Sequence, residues 1–227
     1  MKDTAKVVSE LVSAIDKTIV GTFDVNLNLT LTCKTKWLRV GKIVTNSTGD
    51  LYTITEIVND VSIKGVPLSP SAPNLTGIIT LPPPFYLSGT HMATNNEWTK
   101  ATPNLMSKTP FAWLLETITM EKYGRGDTRD FSSEIRLFFL DETDIVNYYT
   151  IDHRTQVVEP MEELALAFIE SVNNNRKIKT IEEYSLVTFS RFGVEGNEGM
   201  FKNILDANLS GVELKINLTK YKEDCKC

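Results

Sequence analysis

The side chains best suited to proton transfer, nucleophilic attack or soft-metal binding in this 227-residue chain are two histidines, His91 and His153, and three cysteines, Cys33, Cys225 and Cys227. His153 follows Asp152, and a carboxylate beside an imidazole is the pairing that general acid–base work uses. Neighbours in sequence rarely meet in the geometry such a pair requires. Zinc catalysis needs three converging ligands, and the chain has neither H-E-x-x-H nor a histidine pair at ligand spacing. Cys33 with Cys225 and Cys227 would bring three thiolates and no fourth ligand, and two of them lie in the last three residues, where chains fray. Asp141, Glu142 and Asp144 hold enough charge for calcium but lack the central glycine and closing glutamate of a calcium loop, so they read as a solvated turn after a buried strand. No glycine-rich phosphate cradle and no G-x-S-x-G elbow is present. Arg125-Gly126-Asp127 spells an adhesive tripeptide and reads as a turn, with Gly124 and Gly126 giving the backbone its freedom. Trp37, Trp98 and Trp113 read as core or interface anchors. The expectation is a non-enzyme with no metal and no cofactor. It rests on missing motifs, and catalytic groups can also converge from distant positions.

Composition narrows the class. Hydrophobic residues make up 41% and charged residues 23%, an ordinary globular balance. The chain is long enough for a sizeable core without staples. The net charge of -5 argues against generic nucleic-acid binding, which needs clustered cations. No apolar run is long enough to span a membrane, and Met1–Val20 is too charged for a signal peptide. An odd cysteine count points to a reducing cytoplasm, which makes the five N-x-S/T sequons chance occurrences. The charge is uneven: residues 1–110 carry +2 and residues 111–227 carry -7. Residues 65–96 hold no Asp, Glu, Lys or Arg and six of the nine prolines. This stretch reads either as an extended arm packed against another surface or as an irregular loop folded over its own domain.

The elements follow from periodicity. Asp3 or Thr4 caps a first helix, with Val7, Val8, Leu11, Val12, Ile15 and Ile19 on one face, Lys17 in its last turn and Gly21 as its stop. Val25–Leu31, Trp37–Thr45, Leu51–Asn59, Val61–Val66 and Gly77–Leu81 read as strands, with a hairpin turn at Asn46–Asp50. Phe111–Thr119 and Glu134–Leu140 form a second hairpin around the polar loop Tyr123–Asp130. A second helix carries Val157, Val158, Met161, Leu164, Ala165, Phe168 and Val172 on one face, with Pro160 in its first turn. Tyr184–Phe192 and Gly211–Tyr221 close the chain as strands, with a short helix at Gly199–Leu205 between them. The expected class is α+β: a mixed or antiparallel sheet with two main helices on one face, formed by residues 1–23 and 111–227. Residues 24–110 would be an inserted antiparallel β module bearing the uncharged arm.

Several of these segments together resemble structural proteins of tailed phages that infect Bacteroidetes hosts. They are Asn96-Glu97, the run Thr109-Pro-Phe-Ala-Trp-Leu-Leu-Glu116, the Asp127–Asp130 loop, EIRLFFL at 134–140, the acidic–apolar helix from Pro160 and the closing Leu209–Asn217. The order is similar to that of neck and tail-completion (tail-terminator) proteins. That resemblance implies a structural virion protein, assembled in the bacterial cytoplasm, which seals the tail tube and joins it to the head connector. It implies a homo-oligomeric ring, a hexamer before a dodecamer, touching neck and tail-tube proteins and passing DNA through its lumen without specific binding. No membrane enters. Ring contacts are heterologous, and the charge asymmetry and the uncharged arm suit them. Pro82, Pro83, Pro84, Phe85, Tyr86, Trp98, Arg125, Asp127, Arg129 and Asp130 are the candidate subunit contacts. The alternative is a baseplate or receptor-binding accessory module that grips its partner, a chain or a sugar, through the β insertion.

Overall fold

The computed structural model describes residues 4–23, 29–33, 35–69, 77–101, 105–116, 118–123, 130–144, 149–192, 194–197, 200–203, 205 and 207–220. The chain divides into two compact units, one of Met1–Ile15 with Pro84–Cys227 and one of Asp16–Pro83. Both boundaries fall earlier than the sequence places them. The reason at the first is local. A first helix, α1 (Thr4–Ser13), stops short of Ile19. The Asp16 carboxylate accepts the Thr18 N–H at 2.9 Å and pairs with Lys36 at 2.9 Å. A side chain that takes a nearby backbone N–H competes with helix, and the β-branched Thr18-Ile19-Val20 then favours a strand.

Asp16–Pro83 is an antiparallel barrel of β1 (Thr18–Phe23), β2 (Leu29–Leu31), β3 (Ile43–Asn46), β4 (Leu51–Val58), β5 (Ser62–Pro67) and β6 (Ile78–Thr80). Their order is β1-β2-β5-β4-β3-β6, and β6 pairs back onto β1, which closes the ring and leaves no sheet edge. Ile19, Leu29, Leu31, Val44, Tyr52, Ile54, Ile63 and Ile79 point inward and are buried. Gly21 is therefore not a helix stop. It lies in β1, where an added Cβ would sit 2.6 Å from the Thr30 carbonyl oxygen. The hairpin turn at Asn46–Asp50 is present: Asn46 Oδ1 accepts the N–H groups of Thr48 at 3.0 Å and Asp50 at 2.8 Å. Asn46 Nδ2 also donates inward to the Tyr52 hydroxyl at 3.1 Å. The chain enters at β1 and leaves after β6 side by side: Thr18 opposes Thr80, and the Leu81 N–H donates to the Lys17 carbonyl at 2.9 Å. The Val25–Leu31 strand is described from Leu29 on; its first residues lie outside the described ones.

The other unit is an α+β sheet. Its strands are β7 (Phe85–Gly89), β8 (Phe111–Leu115), β9 (Thr119–Tyr123), β10 (Asp130–Glu142), β11 (Tyr184–Phe189) and β14 (Leu209–Lys220). The order is β11-β14-β10-β8-β7, with β9 on β10 beside β8; β7 and β8 run parallel and the other pairs antiparallel. Alternation gives β10 and β14 two working faces. Ile135, Leu137 and Phe139 with Val212, Leu214 and Ile216 turn toward α5 (Glu159–Asn173), where Phe139 meets Phe168 at 5.9 Å between ring centres. Ser171 on α5 donates to the Leu11 carbonyl of α1 at 3.0 Å, so both main helices lie on this face. A short helix α4 (Thr150–His153) and a π-helical turn, Arg154–Val158, lead into α5. The opposite face is also covered. Trp98 of α2 (His91–Lys100) packs there with Phe111, Trp113, Phe138 and Phe192, Trp113 stacking on Phe138 at 5.1 Å. A four-residue helix, α3 (Leu105–Lys108), precedes β8.

Two expectations are corrected. Residues 65–96 are neither an arm nor one irregular loop: where described, they supply the end of β5, then β6, β7 and the start of α2. The short helix expected at 199–205 is instead part of a two-stranded ribbon, β12 (Val194–Asn197) with β13 (Met200–Asn203). Gly211 faces Leu140 in the central ladder at φ 153°, and a Cβ there would lie 2.0 Å from the Phe139 carbonyl oxygen. Gly211→Ala is expected to lower stability by about 3 kcal/mol or more, read as a lower urea midpoint. In the barrel, burial first and the Asp50 charge second raise the Tyr52 pKa above 10.0, against the Asn46 hydrogen bond. A pKa raised by folding means stability that is full below the unfolded value and is lost as pH rises through the folded one. Melting curves below and above pH 10.0 are expected to show that loss in the native chain and a smaller one in Tyr52→Phe.

Candidate functional site

The residues named for chemistry are held apart, each serving its own element. His91 is exposed at the start of α2, edge-on to Trp113 at 4.8 Å. His153 ends α4 with a buried Nε2 that has no hydrogen-bond partner among the described residues. The Asp152 carboxylate accepts the Tyr149 N–H at 3.2 Å, which makes it a helix-start ligand. Asp141 is not in a solvated turn. It is buried near the end of β10, and its Oδ1 accepts the Glu142 N–H at 2.7 Å. Cys33 accepts the Val20 N–H at 3.2 Å in the barrel unit, and Cys225 and Cys227 lie outside the described residues. Among the described residues no three His, Cys, Asp or Glu side chains gather as metal ligands would, and no helix is long and apolar enough to cross a membrane.

The candidate contact residues divide in the same way. Trp98 and Pro84 are buried, Pro82 is half-buried and Pro83 is exposed. Phe85 packs on Trp98 and Phe111, and the Tyr86 hydroxyl donates to the Ala5 carbonyl at 2.9 Å. Trp98, Phe85 and Tyr86 are thus taken up by the chain's own packing. Arg125, Asp127 and Arg129, with the whole tripeptide motif, lie outside the described residues, and Asp130 opens β10 opposite Tyr123.

Besides Asp141, a second carboxylate is buried on the sheet. Glu213 of β14 is 2% exposed, its carboxylate bonded by Arg136 Nε from β10 and approached by Lys215 Nζ at 3.7 Å. Arg136 also lies over the Phe138 ring at 5.8 Å. The two cations offset the cost of burying that carboxylate. Beyond them, toward β11, Glu134, Glu183, Tyr184, Ser185, Lys215, Ile216 and Asn217 line a shallow groove of mixed character.

The surface that sequence reasoning missed is on the barrel. Outward positions follow from the registers. Val20 opposes Ile78, Thr18 opposes Thr80, Thr80 opposes Thr45, and Thr45 opposes Leu51. Ile43 opposes Thr53, Thr53 opposes Val66, and the Leu68 N–H donates to the Leu51 carbonyl. These positions form a band across β1, β6, β3, β4 and the end of β5. Val20, Ile43, Leu51, Val66, Leu68 and Ile78 are 41–55% exposed there, the outward positions between them are threonines, and none of the ten carries a charge. The next charged pair on the barrel wall, Glu56 with Lys64 at 2.7 Å, comes beyond the irregularity at Ile54–Glu56. Scattered exposed aliphatic residues are normal, but a continuous band of them marks a contact surface. The signal was present in each strand as an apolar residue at both parities, which a single strand cannot distinguish from burial on two sides.

Comparison with protein-family models, curated proteins and solved structures returns no match. For the buried carboxylate, Arg136→Met is expected to destabilise by roughly 2 kcal/mol, less than for a fully buried pair because Arg136 is 40% exposed and Lys215 remains. Adding Glu213→Leu is expected to restore most of that loss in a urea titration.

Proposed function

We propose that this chain is a structural, non-enzymatic subunit whose work is contact with other protein chains. In this reading it is a ring subunit of the neck or head-proximal tail of a tailed phage, sealing the tube and joining it to the head connector. The observation that carries the contact is the uncharged outer band of the barrel. It exposes six large aliphatic side chains beside four threonines on a rigid closed wall. Such a band loses little hydration energy on docking and buries apolar area instead. The phage setting is supported by the sequence segments that carry the resemblance, which fall on α2, β8, β10, α5 and β14, the Asp127–Asp130 loop lying mostly outside the described residues.

The second reading, a baseplate or receptor-binding accessory module, is favoured by the barrel being a compact unit of its own, with its own core. The two readings differ in what the band touches: a neighbouring copy in the ring, or a separate partner in the module.

Ile43→Lys with Val66→Asp tests the band. Both side chains point outward, so the barrel is expected to keep its melting point within about 1 kcal/mol of stability. Native mass spectrometry is expected to show a closed ring for the parent chain and its loss in the variant. A parent protein that stays monomeric and is absent from mature particles would overturn the ring reading. A ring that survives the two substitutions while host attachment is lost would favour the accessory module.

A further inference from the structure

We propose that β11 is a self-pairing edge: it adds, antiparallel, to β11 of a second copy about a two-fold axis normal to the sheet. This contact is separate from the barrel band and does not depend on the phage reading.

One side of β11 is bonded to β14 from Tyr184 opposite Ile216 to Phe189 opposite Gly211. Among the described residues the other side has no strand beside it, and no hydrogen bond reaches its N–H and C=O groups. Beyond the strand the chain stays beside β14 but leaves that register: the Lys179 N–H donates to Thr219 before it, and the Phe192 N–H donates to Leu209 after the bend at 190–192. Edge strands are usually protected by a charge, a proline or a bulge. Tyr-Ser-Leu-Val-Thr-Phe has no charge and no proline, and its register with β14 is unbroken. Tyr184 is 47% exposed and Val187 is 37% exposed. The other unit closes its strands into a barrel and so avoids this problem entirely.

Charge selects the occupant and the register. Even-numbered residues of β11 face α5, where Thr188 Oγ1 donates to Glu162 Oε1 at 3.4 Å. Odd-numbered ones face the aromatic side, where Phe189 meets Phe138 at 6.1 Å. A two-fold axis normal to the sheet preserves faces, so opposed residues share parity and the axis passes midway between the two copies of one residue. With the axis at Val187, Glu183 just before the strand is brought toward Arg191 of the second copy, which lies in the bend just after it, and the same approach recurs on the other side of the axis. With it at Leu186, Glu183 meets Phe189 and both charges lose their partner. The chain thus places one acidic and one basic residue four positions either side of Val187. Within one copy the Arg191 guanidinium reaches the Asn208 side chain at 3.5 Å, so it is held beside the edge. α5 packs over β10 and β14.

Sedimentation velocity over a concentration series, with charge swaps at these exposed sites, tests the pairing. Glu183→Arg and Arg191→Glu are each expected to weaken self-association about tenfold or more, because symmetry doubles every repulsion. The combined Glu183→Arg/Arg191→Glu chain is expected to recover it. In a background of Cys33→Ser, Cys225→Ser and Cys227→Ser, Val187→Cys is expected to give an oxidised dimer. The barrel variant Ile43→Lys/Val66→Asp is expected to leave this contact intact, so loss of the ring and loss of the edge pair are read separately. A parent chain that stays monomeric throughout the series, association unmoved by either single swap, or no recovery in the double swap would overturn the proposal.

Discussion

The antiparallel pairing of β10 with β14 is the constraint on which the larger unit depends. The ladder runs without a break from Phe131 opposite Lys220 to Glu142 opposite Leu209. Among the described residues β11 has no sheet partner except β14, and β8 and β9 are held by β10. Because side chains alternate, fixing this register also decides which residues meet α5 and which meet the tryptophans. A slip of β10 by one position would turn Phe139 away from Phe168 and carry Arg136 to the helix-covered face, away from Glu213. The missing side chain at Gly211 lets the two strands approach where Leu140 passes it. The buried carboxylate, the aromatic layer and the helix-covered face are consequences of one register.

The barrel solves a different problem. A six-stranded sheet of 68 residues has little interior, and closure removes its edges at the cost of leaving most of its outer wall uncovered. β-branched residues suit strands on either face, so a wall of Val, Ile and Thr forms the barrel as readily as a charged one would. Formation of the barrel therefore does not account for the absence of charge along that band. Glu56 and Lys64 show that this barrel accepts charge on its wall elsewhere.

Much of this was legible in the chain. The α+β class, the two helices on one face and the hairpin at Asn46–Asp50 follow from periodicity and turn chemistry, and EIRLFFL reads as a strand because its apolar residues occupy both parities. What could not be read was set by distant contacts. Ile19 fits the apolar stripe of α1 and equally the inside of a barrel, and the pairing of β1 with β6 decides between them. α2 is weakly patterned, and Trp98 gives it a place only because Phe85 and Phe111 are there to receive it. The ribbon at 194–203 has a sequence that a short helix also fits. The outer band of the barrel is invisible in any one strand, since it consists of residues brought side by side by four different strand pairings. The buried Glu213 looked like one of the alternating polar positions of Gly211–Tyr221 until Arg136 arrived from across the ladder.

The barrel's entry and exit, Lys17 and Leu81, are joined by a backbone hydrogen bond. A chain that leaves and returns at the same point imposes almost no spacing on what flanks it, so Ile15 and Pro84 are tethered as closely as if a tight turn stood between them. The entropy of closing a 68-residue excursion is offset inside the barrel by its own core. Such a module can be gained, lost or exchanged as a whole without re-registering any strand outside it, which is the geometry that domain insertion favours. The two units are therefore free to change at different rates, one bound by its central ladder and the other by whatever its bare wall must fit.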